Sequence, residues 1–263
     1  QLAPASFEEV GEYSAVVHQP AGERETREAY RALLACPTGS IGTAQRDTRL
    51  LNAAKADFPL LVEDEVYYCG FNSEQSFGAN SFFVRHPEGN WLIDSPRYLK
   101  HLVDAFDRMG GVAYIFLTHE DDVADAARYA QRFGARRIIH RADAHAMPGA
   151  EEIVDGIEEI SYRPEFRIIP VPGHTAGSLC LLYRHRFLFT GDHLWWNPET
   201  NELASPQQLV WDAEALRRSI ARLAAYPFEW VLAGHGGRVR LPRVHMHKAL
   251  GELITRREGA LQR

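Results

Sequence analysis

Four short apolar runs end in the same way, and this repetition constrains the fold of the chain more than any other sequence feature. Each run has the composition of a buried strand, and each stops at a histidine or an aspartate with glycines or other small residues beside it. These residues are His119, His174, Asp192 and His235. Because the ends of strands in one sheet meet at one edge, we expect these side chains to converge. Three imidazoles and a carboxylate suit Zn²⁺, Fe²⁺ or Mn²⁺.

The first of these strand ends is followed by acidic residues. Residues 114–117 read as a strand, His119 comes soon after, and Asp121, Asp122 and Asp125 follow. Apolar residues then recur at helical spacing, which places the aspartates in the first turn of a predicted helix. Carboxylates in a first turn are typical of helix capping. A histidine at a strand tip with carboxylates beside it also suits a divalent metal ion.

The first 50 residues form a different kind of region. Residues 12–18 read as a strand, and residues 23–34 read as a short helix that stops at Cys36 and Pro37. This βαβ-like piece is too small to bury a core of its own, so we expect it to dock on the rest of the chain. We therefore predict a small N-terminal segment, residues 1–50, and a larger domain, residues 51–263.

The larger domain begins with strands and then alternates between strands and helices. Short segments rich in aromatic and branched residues lie between residues 66 and 94, separated by Gly, Asn and Pro. Further along, helical patterns alternate with short apolar strands, and closing helices are predicted at residues 213–225 and 244–259. This order fits an α/β (α+β) fold in which helices cover the outer faces of two stacked sheets, an αββα arrangement.

Between about residues 64 and 240 the chain resembles the metallo-β-lactamase superfamily. Thr118-His119 is similar to the start of that family's Thr-His-x-His-x-Asp-His motif, and Pro172-Gly-His-Thr-Ala-Gly-Ser178 is very similar to its third motif. The early aspartate, the bridging aspartate and the last histidine of the family match Asp94, Asp192 and His235. The resemblance implies a four-layer αββα sandwich with a metal-bound water in a cleft at the sheet edges, where the metal also polarises the scissile group.

The second motif departs from the family pattern. Aligned without gaps, the family's second histidine falls on Asp121, its aspartate on Val123 and its last histidine on Ala124. A two-residue insertion would instead place the final aspartate and histidine on Asp125 and Ala126. In either alignment two histidines are missing, so the resemblance implies one metal site more readily than two.

The ligands that the resemblance implies for this site are His119, Asp121, His174, Asp192 and His235. Asp121 replaces an imidazole of the family, and a carboxylate at that position shifts the preference from zinc towards harder ions such as Fe²⁺ or Mn²⁺. The expected cofactor is therefore a divalent metal, Zn²⁺ or Fe²⁺, with Mn²⁺ as an alternative. Asp122 is the candidate for orienting the attacking water.

A second resemblance lies in the N-terminal segment. Cys36-Pro-Thr-Gly-Ser-Ile41 looks like the sequence around the last cluster cysteine of a bacterial-type ferredoxin. Residues 1–35 contain no cysteine, and one thiolate cannot hold a 4Fe–4S cluster. Either the other cysteines belong to residues upstream of Gln1, or the segment is a ferredoxin remnant kept for docking. We favour the remnant, which suggests a redox protein as a partner.

Composition argues against several classes of partner. A net charge of -6 disfavours nucleic acid and anionic membranes, and no apolar run approaches the roughly 20 residues that span a bilayer. No signal peptide is recognisable at the N-terminus. The three cysteines are odd in number and far apart, which does not indicate a disulfide framework. We expect a cytoplasmic protein, or one of an organelle stroma if an N-terminal segment was removed.

Three functions are compatible with these features. The first is a metal-dependent hydrolase that acts on a thioester, lactone or other acyl bond of a small molecule. The second is a mononuclear non-haem iron oxygenase of persulfide dioxygenase type, with His119, His174 and Asp192 as its ligands. The third is a degenerate, non-catalytic module that binds a partner such as a redox protein.

Overall fold

The computed structural model describes residues 2–10 and 13–259. Its N-terminal region contains a hairpin and two helices: β1 (Phe7–Val10), β2 (Tyr13–Val16), α1 (Gly22–Ala35) and α2 (Thr48–Ala56). The order differs from the predicted βαβ order because β1 and β2 pair with each other as antiparallel neighbours. The strand predicted at residues 12–18 corresponds to β2, although residue 12 lies outside the described residues. The domain boundary predicted at residue 50 falls inside α2.

The first of the two large sheets has seven strands in sequence order. They are β3 (Leu60–Glu63), β4 (Val66–Tyr68), β5 (Phe82–Val84), β6 (Trp91–Ile93), β7 (Tyr114–Phe116), β8 (Arg136–His140) and β9 (Glu152–Val154). Strands β3 to β6 pair antiparallel and β6 to β9 pair parallel. Parallel neighbours need long crossovers, which here contain α3 (Lys100–Arg108) and α4 (Ala126–Phe133).

The second sheet has six strands in the order β10-β11-β12-β13-β16-β17. They are β10 (Ile160–Tyr162), β11 (Phe166–Pro170), β12 (Leu179–Tyr183), β13 (Phe187–Gly191), β16 (Trp230–Ala233) and β17 (Val239–Arg240). A separate hairpin, β14 (Trp195–Asn197) and β15 (Glu202–Ala204), lies between β13 and β16 in the chain. Two helices complete the domain, α5 (Ala213–Leu223) and α6 (Arg243–Gly259).

Side chains on the second sheet alternate between two hydrophobic cores. Along β12, Leu179 and Leu181 join the core that the first sheet, α3 and α4 share, whereas Cys180 and Leu182 pack with α5 and α6. Such alternation means that both faces of this sheet are buried. The sheets touch through aromatic rings, since Phe82 lies 5.5 Å from Phe189 between ring centroids. The predicted αββα sandwich is confirmed.

One local prediction is wrong. Asp121 and Asp122 do not lie in the first turn of the helix after β7; they belong to a separate 3₁₀ turn, Glu120–Asp122, and α4 begins at Ala126. The chain cannot continue as one helix because Ala124 adopts φ +29°, outside the right-handed helical region. The 3₁₀ turn therefore aims the two aspartates independently of α4.

The N-terminal region docks on the first sheet. Arg97, which follows β6, donates from Nη2 to the carbonyl oxygen of Leu34 at 3.0 Å. Within the N-terminal region, Asp57 at the end of α2 pairs with Arg27 and Arg31 of α1 and joins the two helices. Within residues 2–10 and 13–259, the helices lack the combination of length and apolar character that a membrane crossing requires.

Candidate metal centre

The four strand ends meet at one point between the sheets. His119 follows β7 of the first sheet, whereas His174, Asp192 and His235 follow β11, β13 and β16 of the second. The Nε2 atoms of His119, His174 and His235 lie 3.8, 3.7 and 3.7 Å from Oδ2 of Asp192. Potential ligand atoms of His119, His174 and Asp192 all lie within 4.8 Å of one another. The Asp192 carboxylate thus stands among three imidazoles contributed by two sheets.

Asp121 is a fifth acidic or imidazole group in this cluster, and it lies two residues after His119. Its Oδ2 lies 3.6 Å from Nε2 of His119 and 3.4 Å from Nε2 of His174. The Asp121 side chain is 40% exposed and the His235 side chain 36%, whereas that of His119 is 1% exposed. The cluster is therefore buried at His119 and open to solvent at Asp121 and His235.

Within residues 2–10 and 13–259, several buried polar atoms of the cluster have no hydrogen-bond partner. They are Nε2 of His119, both ring nitrogens of His174 and Oδ1 of Asp192. A buried polar group left unpaired costs roughly 1–3 kcal/mol, so native proteins seldom keep several together without an ion or water to satisfy them. Imidazole nitrogens around a carboxylate are a donor set that binds divalent transition metals. The residues present fit such an ion.

Two glycines let the strand ends approach this closely. A Cβ on Gly191, which has φ +49°, would lie 2.4 Å from Oγ1 of Thr118 and 3.3 Å from Nδ1 of His119. A Cβ on Gly234 would lie 2.9 Å both from Oδ2 of Asp122 and from Oδ1 of Asp192. A side chain at either position would displace groups of the cluster.

Asp94 and Thr118 orient His119. The N–H of Thr118 donates to Oδ1 of Asp94 at 2.8 Å, and the Thr118 hydroxyl lies 3.0 and 3.1 Å from the two carboxylate oxygens. The same hydroxyl is 3.0 Å from Nδ1 of His119, which leaves Nε2 directed at the cluster. Burial raises the pKa of Asp94 to about 8. The charge of Asp192 adds to this rise, and the hydrogen bonds from Thr118 oppose it. Burial and the neighbouring His174 and His235 hold the pKa of His119 well below its ordinary value.

Sequence reasoning missed Asp143, which anchors the loop that carries His174. Asp143 is buried and accepts hydrogen bonds from the Thr175 hydroxyl at 2.6 Å, the Gly177 N–H at 2.9 Å and the Glu120 N–H at 3.1 Å. One carboxylate therefore ties the His174 loop to the turn after His119. Sequence reasoning looked at the residue on which each apolar run ends, and the run of β8 ends at His140, three residues before Asp143.

Asp122 and Asp125 occupy different environments. Asp122 is fully buried, and neither carboxylate oxygen has a hydrogen-bond partner in the part of the chain that the structure describes. Its Oδ2 is 3.9 Å from Nδ1 of His119. Burial and the nearby Asp94, Asp192 and Asp121 raise its pKa well above the usual range. Asp125, considered from sequence as a remnant of the second site, instead accepts from the N–H of Tyr98 at 2.7 Å and pairs with Arg128. Asp125 therefore serves the docking of α4 and does not join the cluster.

Comparison with known protein families agrees with this architecture. The family model described as the metallo-beta-lactamase superfamily matches residues 60–254. A second model, described as the 4Fe-4S single cluster domain of ferredoxin I, matches residues 1–43, which confirms the ferredoxin-like character of the N-terminal segment.

Curated relatives share part of this chain. A hydroxyacylglutathione hydrolase of Cereibacter sphaeroides is 30% identical over 164 residues, which are 59% of this chain and 62% of that relative. One from Rhizobium meliloti is 29% identical over 140 residues, which are 51% of this chain and 52% of the relative. The match thus spans between half and two thirds of the length of these relatives.

Solved structures share the fold at lower sequence identity. A metallo-beta-lactamase family protein from Thermus thermophilus has a TM-score of 0.56 with 16% identity, covering 77% of this chain and 82% of the other. A metallo-beta-lactamase from Cronobacter sakazakii has a TM-score of 0.54 with 18% identity, covering 78% and 95%. The family match over residues 60–254, together with these folds, establishes that the chain belongs to the metallo-β-lactamase superfamily.

Proposed function

We propose that this protein is a metal-dependent hydrolase that cleaves an acyl bond of thioester or lactone type in a small molecule. The observation that carries this proposal is the convergence of three imidazole Nε2 atoms on one Asp192 oxygen, in a cluster whose buried ligand atoms have no hydrogen-bond partner. A cluster of this composition, half open to solvent, can hold an ion and still admit a substrate.

Some residues of the cluster would hold the ion, and others orient the side chains that hold it. His119, His174, Asp192 and Asp121 would hold one divalent ion, with His235, whose Nε2 lies 3.7 Å from the same Asp192 oxygen, as a further ligand. When bound, the ion supplies Lewis acidity, which polarises a carbonyl and acidifies a water molecule. Thr118 and Asp94 keep His119 Nε2 aimed at the cluster, and Asp143 keeps the His174 loop in place.

Asp122 is our candidate for orienting the attacking water and receiving its proton. Both oxygens of its buried carboxyl have no hydrogen-bond partner, and the residue faces Asp192 across Gly234. A carboxylate in such a dry environment binds a proton more strongly than one in water, which suits a group that accepts a proton during the reaction.

Relatives support the acyl chemistry. The curated matches from Cereibacter sphaeroides and Rhizobium meliloti are named hydroxyacylglutathione hydrolases, and an acyl group carried on the glutathione sulfur is a thioester. Because their overlap with this chain is partial, the thioester substrate class is part of the proposal.

The test combines metal analysis with kinetics. Purified protein is expected to carry close to one equivalent of Zn²⁺, Fe²⁺ or Mn²⁺, and to hydrolyse a panel of thioesters and lactones. His174→Ala and Asp192→Ala are expected to lose both the metal and the activity, whereas Asp125→Asn keeps both. Protein that binds none of these ions and stays inactive after each is added would contradict the proposal.

A second candidate function rests on the composition of the tightest group. His119, His174 and Asp192 form a two-histidine, one-carboxylate set, the ligand type of mononuclear iron oxygenases. Iron as the co-purifying metal, together with oxygen uptake in the presence of a thiol persulfide, would select this function over hydrolysis. Neither activity would remain if the protein is a non-catalytic module, and its biological activity would then survive His174→Ala.

The N-terminal segment suggests a partner. It matches a ferredoxin model, but residues 1–35 contain no cysteine and Cys69 and Cys180 are buried in the larger domain. We propose that the segment docks a redox protein. The unpaired state of Cys36, Cys69 and Cys180 suits a reducing compartment such as the cytoplasm.

A further inference from the structure

We infer that Asn80 is a positioning residue for His235, and that the N-terminal segment supports it through the loop that precedes β5. This loop, called the Asn80 loop, is defined as residues 71–80. Because it concerns a ligand of the metal ion, the inference rests on the proposed function. The N-terminal segment thereby acts on the metal centre, in addition to docking a partner.

The cluster combines ligands from two sheets, so its dimensions depend on the contacts that join the sheets. His119 follows a strand of the first sheet, whereas His174 and His235 follow strands of the second. Asp143, which follows β8 of the first sheet, bonds the loop that carries His174. Asn80, which precedes β5 of the first sheet, bonds the backbone before His235. Each of these two contacts therefore sets the distance between imidazoles of opposite sheets.

Two donors of Asn80 meet the backbone immediately before His235. The Asn80 N–H donates to the carbonyl oxygen of Gly234 at 2.7 Å, and Nδ2 donates to the carbonyl oxygen of Ala233 at 3.2 Å. The N–H of Gly234 in turn donates to the carbonyl oxygen of Gly191, in β13 of the second sheet, at 2.8 Å. Gly234 is thus held from both sheets, which fixes the backbone from which the His235 side chain projects.

His235 depends on this support because its own side chain is partly open to solvent. The His235 side chain is 36% exposed, whereas that of His174 is 8% exposed. Neighbouring side chains restrict the rotamers of an exposed ring less than those of a buried one. The position of Nε2 of His235, 3.7 Å from Oδ2 of Asp192, is therefore decided largely by the backbone at Gly234.

Asn72 holds the Asn80 side chain in its orientation. Nδ2 of Asn72, a buried residue, donates to Oδ1 of Asn80 at 3.2 Å and to the carbonyl oxygen of Gly78 at 2.8 Å. The Tyr68 hydroxyl donates to Oδ1 of Asn72 at 2.9 Å. Since Oδ1 of Asn80 accepts from Asn72, its Nδ2 faces the carbonyl oxygen of Ala233.

Pro37 of the N-terminal segment packs on the Asn80 loop at Gly78. A Cβ on Gly78, which has φ +87°, would lie 2.8 Å from Cγ and 3.4 Å from Cβ of Pro37. The proline ring thus lies directly against the residue whose carbonyl oxygen accepts from Asn72. Pro37 belongs to the Cys-Pro motif that resembles a ferredoxin. A residue of that motif therefore contacts the loop that positions His235.

The other end of the Asn80 loop is tied to the same segment. Arg97 donates from its N–H to the carbonyl oxygen of Phe71 and from Nη2 to that of Leu34, both at 3.0 Å. Phe71 has φ +50° and Phe77 has φ +49°, left-handed conformations that apolar residues seldom adopt. Such conformations persist where the surrounding structure holds them. The shape of the Asn80 loop therefore depends on contacts from outside it, including those of the N-terminal segment.

The first experiment measures the affinity of the full chain for Zn²⁺ by competition with a chromophoric chelator. Asn80→Ala removes the bond to Ala233 and should weaken binding by about tenfold, as expected for a group that orients a metal ligand. Asn90→Ala is the matched control. Asn90 is buried and precedes β6, antiparallel to β5, and its Nδ2 donates to the carbonyl oxygens of Met109 and Gly111. This variant should lose stability but bind Zn²⁺ within about twofold of the wild type.

A double variant separates a positioning role from a general loss of structure. If Asn80 acts through His235, Asn80→Ala should not weaken Zn²⁺ binding further in a protein that already carries His235→Ala. Additive losses of affinity in the double variant would overturn the inference. Wild-type affinity in the Asn80→Ala protein, or an equal loss in Asn90→Ala, would also overturn it.

Pro37→Ala tests the contribution of the N-terminal segment. Loss of the ring contact with Gly78 should weaken Zn²⁺ binding by about threefold, and this effect should also vanish in the His235→Ala protein. Pro20→Ala, the same change before α1 of the same segment, should keep the wild-type affinity. Equal affinities of Pro37→Ala and the wild type would overturn the role given to the segment.

Hydrogen exchange of the metal-free protein separates this inference from the proposed function. Asn80→Ala and Pro37→Ala should speed amide exchange in residues 233–237, and leave residues 173–177, which Asp143 holds, at the wild-type rate. This result supports the inference even if the wild type binds no Zn²⁺, which would contradict only the proposed function. Equal acceleration in both stretches, or none in residues 233–237, would overturn the inference.

Discussion

The strand end that supplies His174 and the one that supplies His119 are built in different ways. In the His174 loop, Asp143 holds Thr175 and Gly177, and the N–H groups of Trp211 and Asp212 donate to the carbonyl oxygens of His174 and Gly173. This loop is fastened by bonds within the protein. We therefore expect it to keep its shape without a bound ion.

The His119 end is held at its base and by one hydrogen bond beyond it, from the Glu120 N–H to Asp143. Asp94 and Thr118 fix His119, but the turn beyond leaves both oxygens of Asp122 unpaired in a fully buried position, and Asp121 stays 40% exposed. The comparison teaches that the His174 loop is pre-organised, whereas the turn that carries the aspartates depends on an additional positive charge for its stability. This turn is also where the chain departs from the family motif.

The largest expected loss of stability comes from a side chain added at Gly173, in the pre-organised loop that carries His174. A Cβ on Gly173 would lie 2.4 Å from Cα of Leu216, in the backbone of α5, which cannot move aside as a flexible side chain would. Gly173→Ala is expected to lower the free energy of unfolding by about 3 kcal/mol, measured by urea denaturation. Gly251→Ala is the control, since a Cβ there meets nothing within 4 Å in α6, and a gain of about 0.5–1 kcal/mol is expected. Equal stabilities of the two variants would contradict this account.

Asp143→Asn tests whether the hydrogen bonds that hold the His174 loop contribute to the affinity of the cluster for a metal ion. The amide keeps the size of the side chain but weakens its bonds to Thr175 and Gly177, so the affinity for Zn²⁺ or Mn²⁺ should fall by about 10- to 100-fold. Competition with a chromophoric chelator measures it. Asp125→Asn, with the same chemical change outside the cluster, should keep the wild-type affinity; a similar fall in both variants would show that the effect is not specific to the loop.

Asp122→Asn tests the other strand end. Removal of a buried, unpaired carboxyl should leave the metal-free protein as stable as the wild type or up to about 1 kcal/mol more stable. The rise in melting temperature on addition of Mn²⁺ or Zn²⁺ should be smaller in the variant. Thermal denaturation with and without the ion measures both. A clear loss of stability in the metal-free variant would mean that this turn is held by the protein alone.

The smallest expected effect concerns His101, which lies outside both strand ends. It tests how much of the loss of stability at low pH arises away from the cluster. Burial, with a further contribution from Lys55 and Arg97 that Asp104 opposes, lowers the pKa of His101 from 6.5 to about 4. The unfolded chain therefore binds a proton that the folded protein does not, so stability is full above pH 6.5 and falls as the pH drops towards 4. His101→Phe, which keeps the ring contact with Phe71, should flatten this part of the profile in denaturation measured across pH.

The site residues that the sequence could reveal are those whose local context is distinctive. His119, His174, Asp192 and His235 each follow a short apolar strand, and these strand ends necessarily come close once the strands join stacked sheets. Asp143 was not predicted, because its role is to accept hydrogen bonds from residues 32 and 34 positions away. Nothing in its own neighbourhood indicates such partners.

By itself, the sequence determined the αββα class, the positions of most strands and helices, and the ferredoxin-like character of the first segment. These follow from local periodicity and from short motifs, which are properties of neighbouring residues. Only the tertiary structure decided that Asp121 reaches the cluster while Asp125 turns to Tyr98, and that Trp196 packs against the core of the second sheet while Trp211 stays 61% exposed. The physical reason is that a side chain's direction depends on single backbone angles, such as φ at Ala124, and on contacts between distant segments, neither of which a local pattern records.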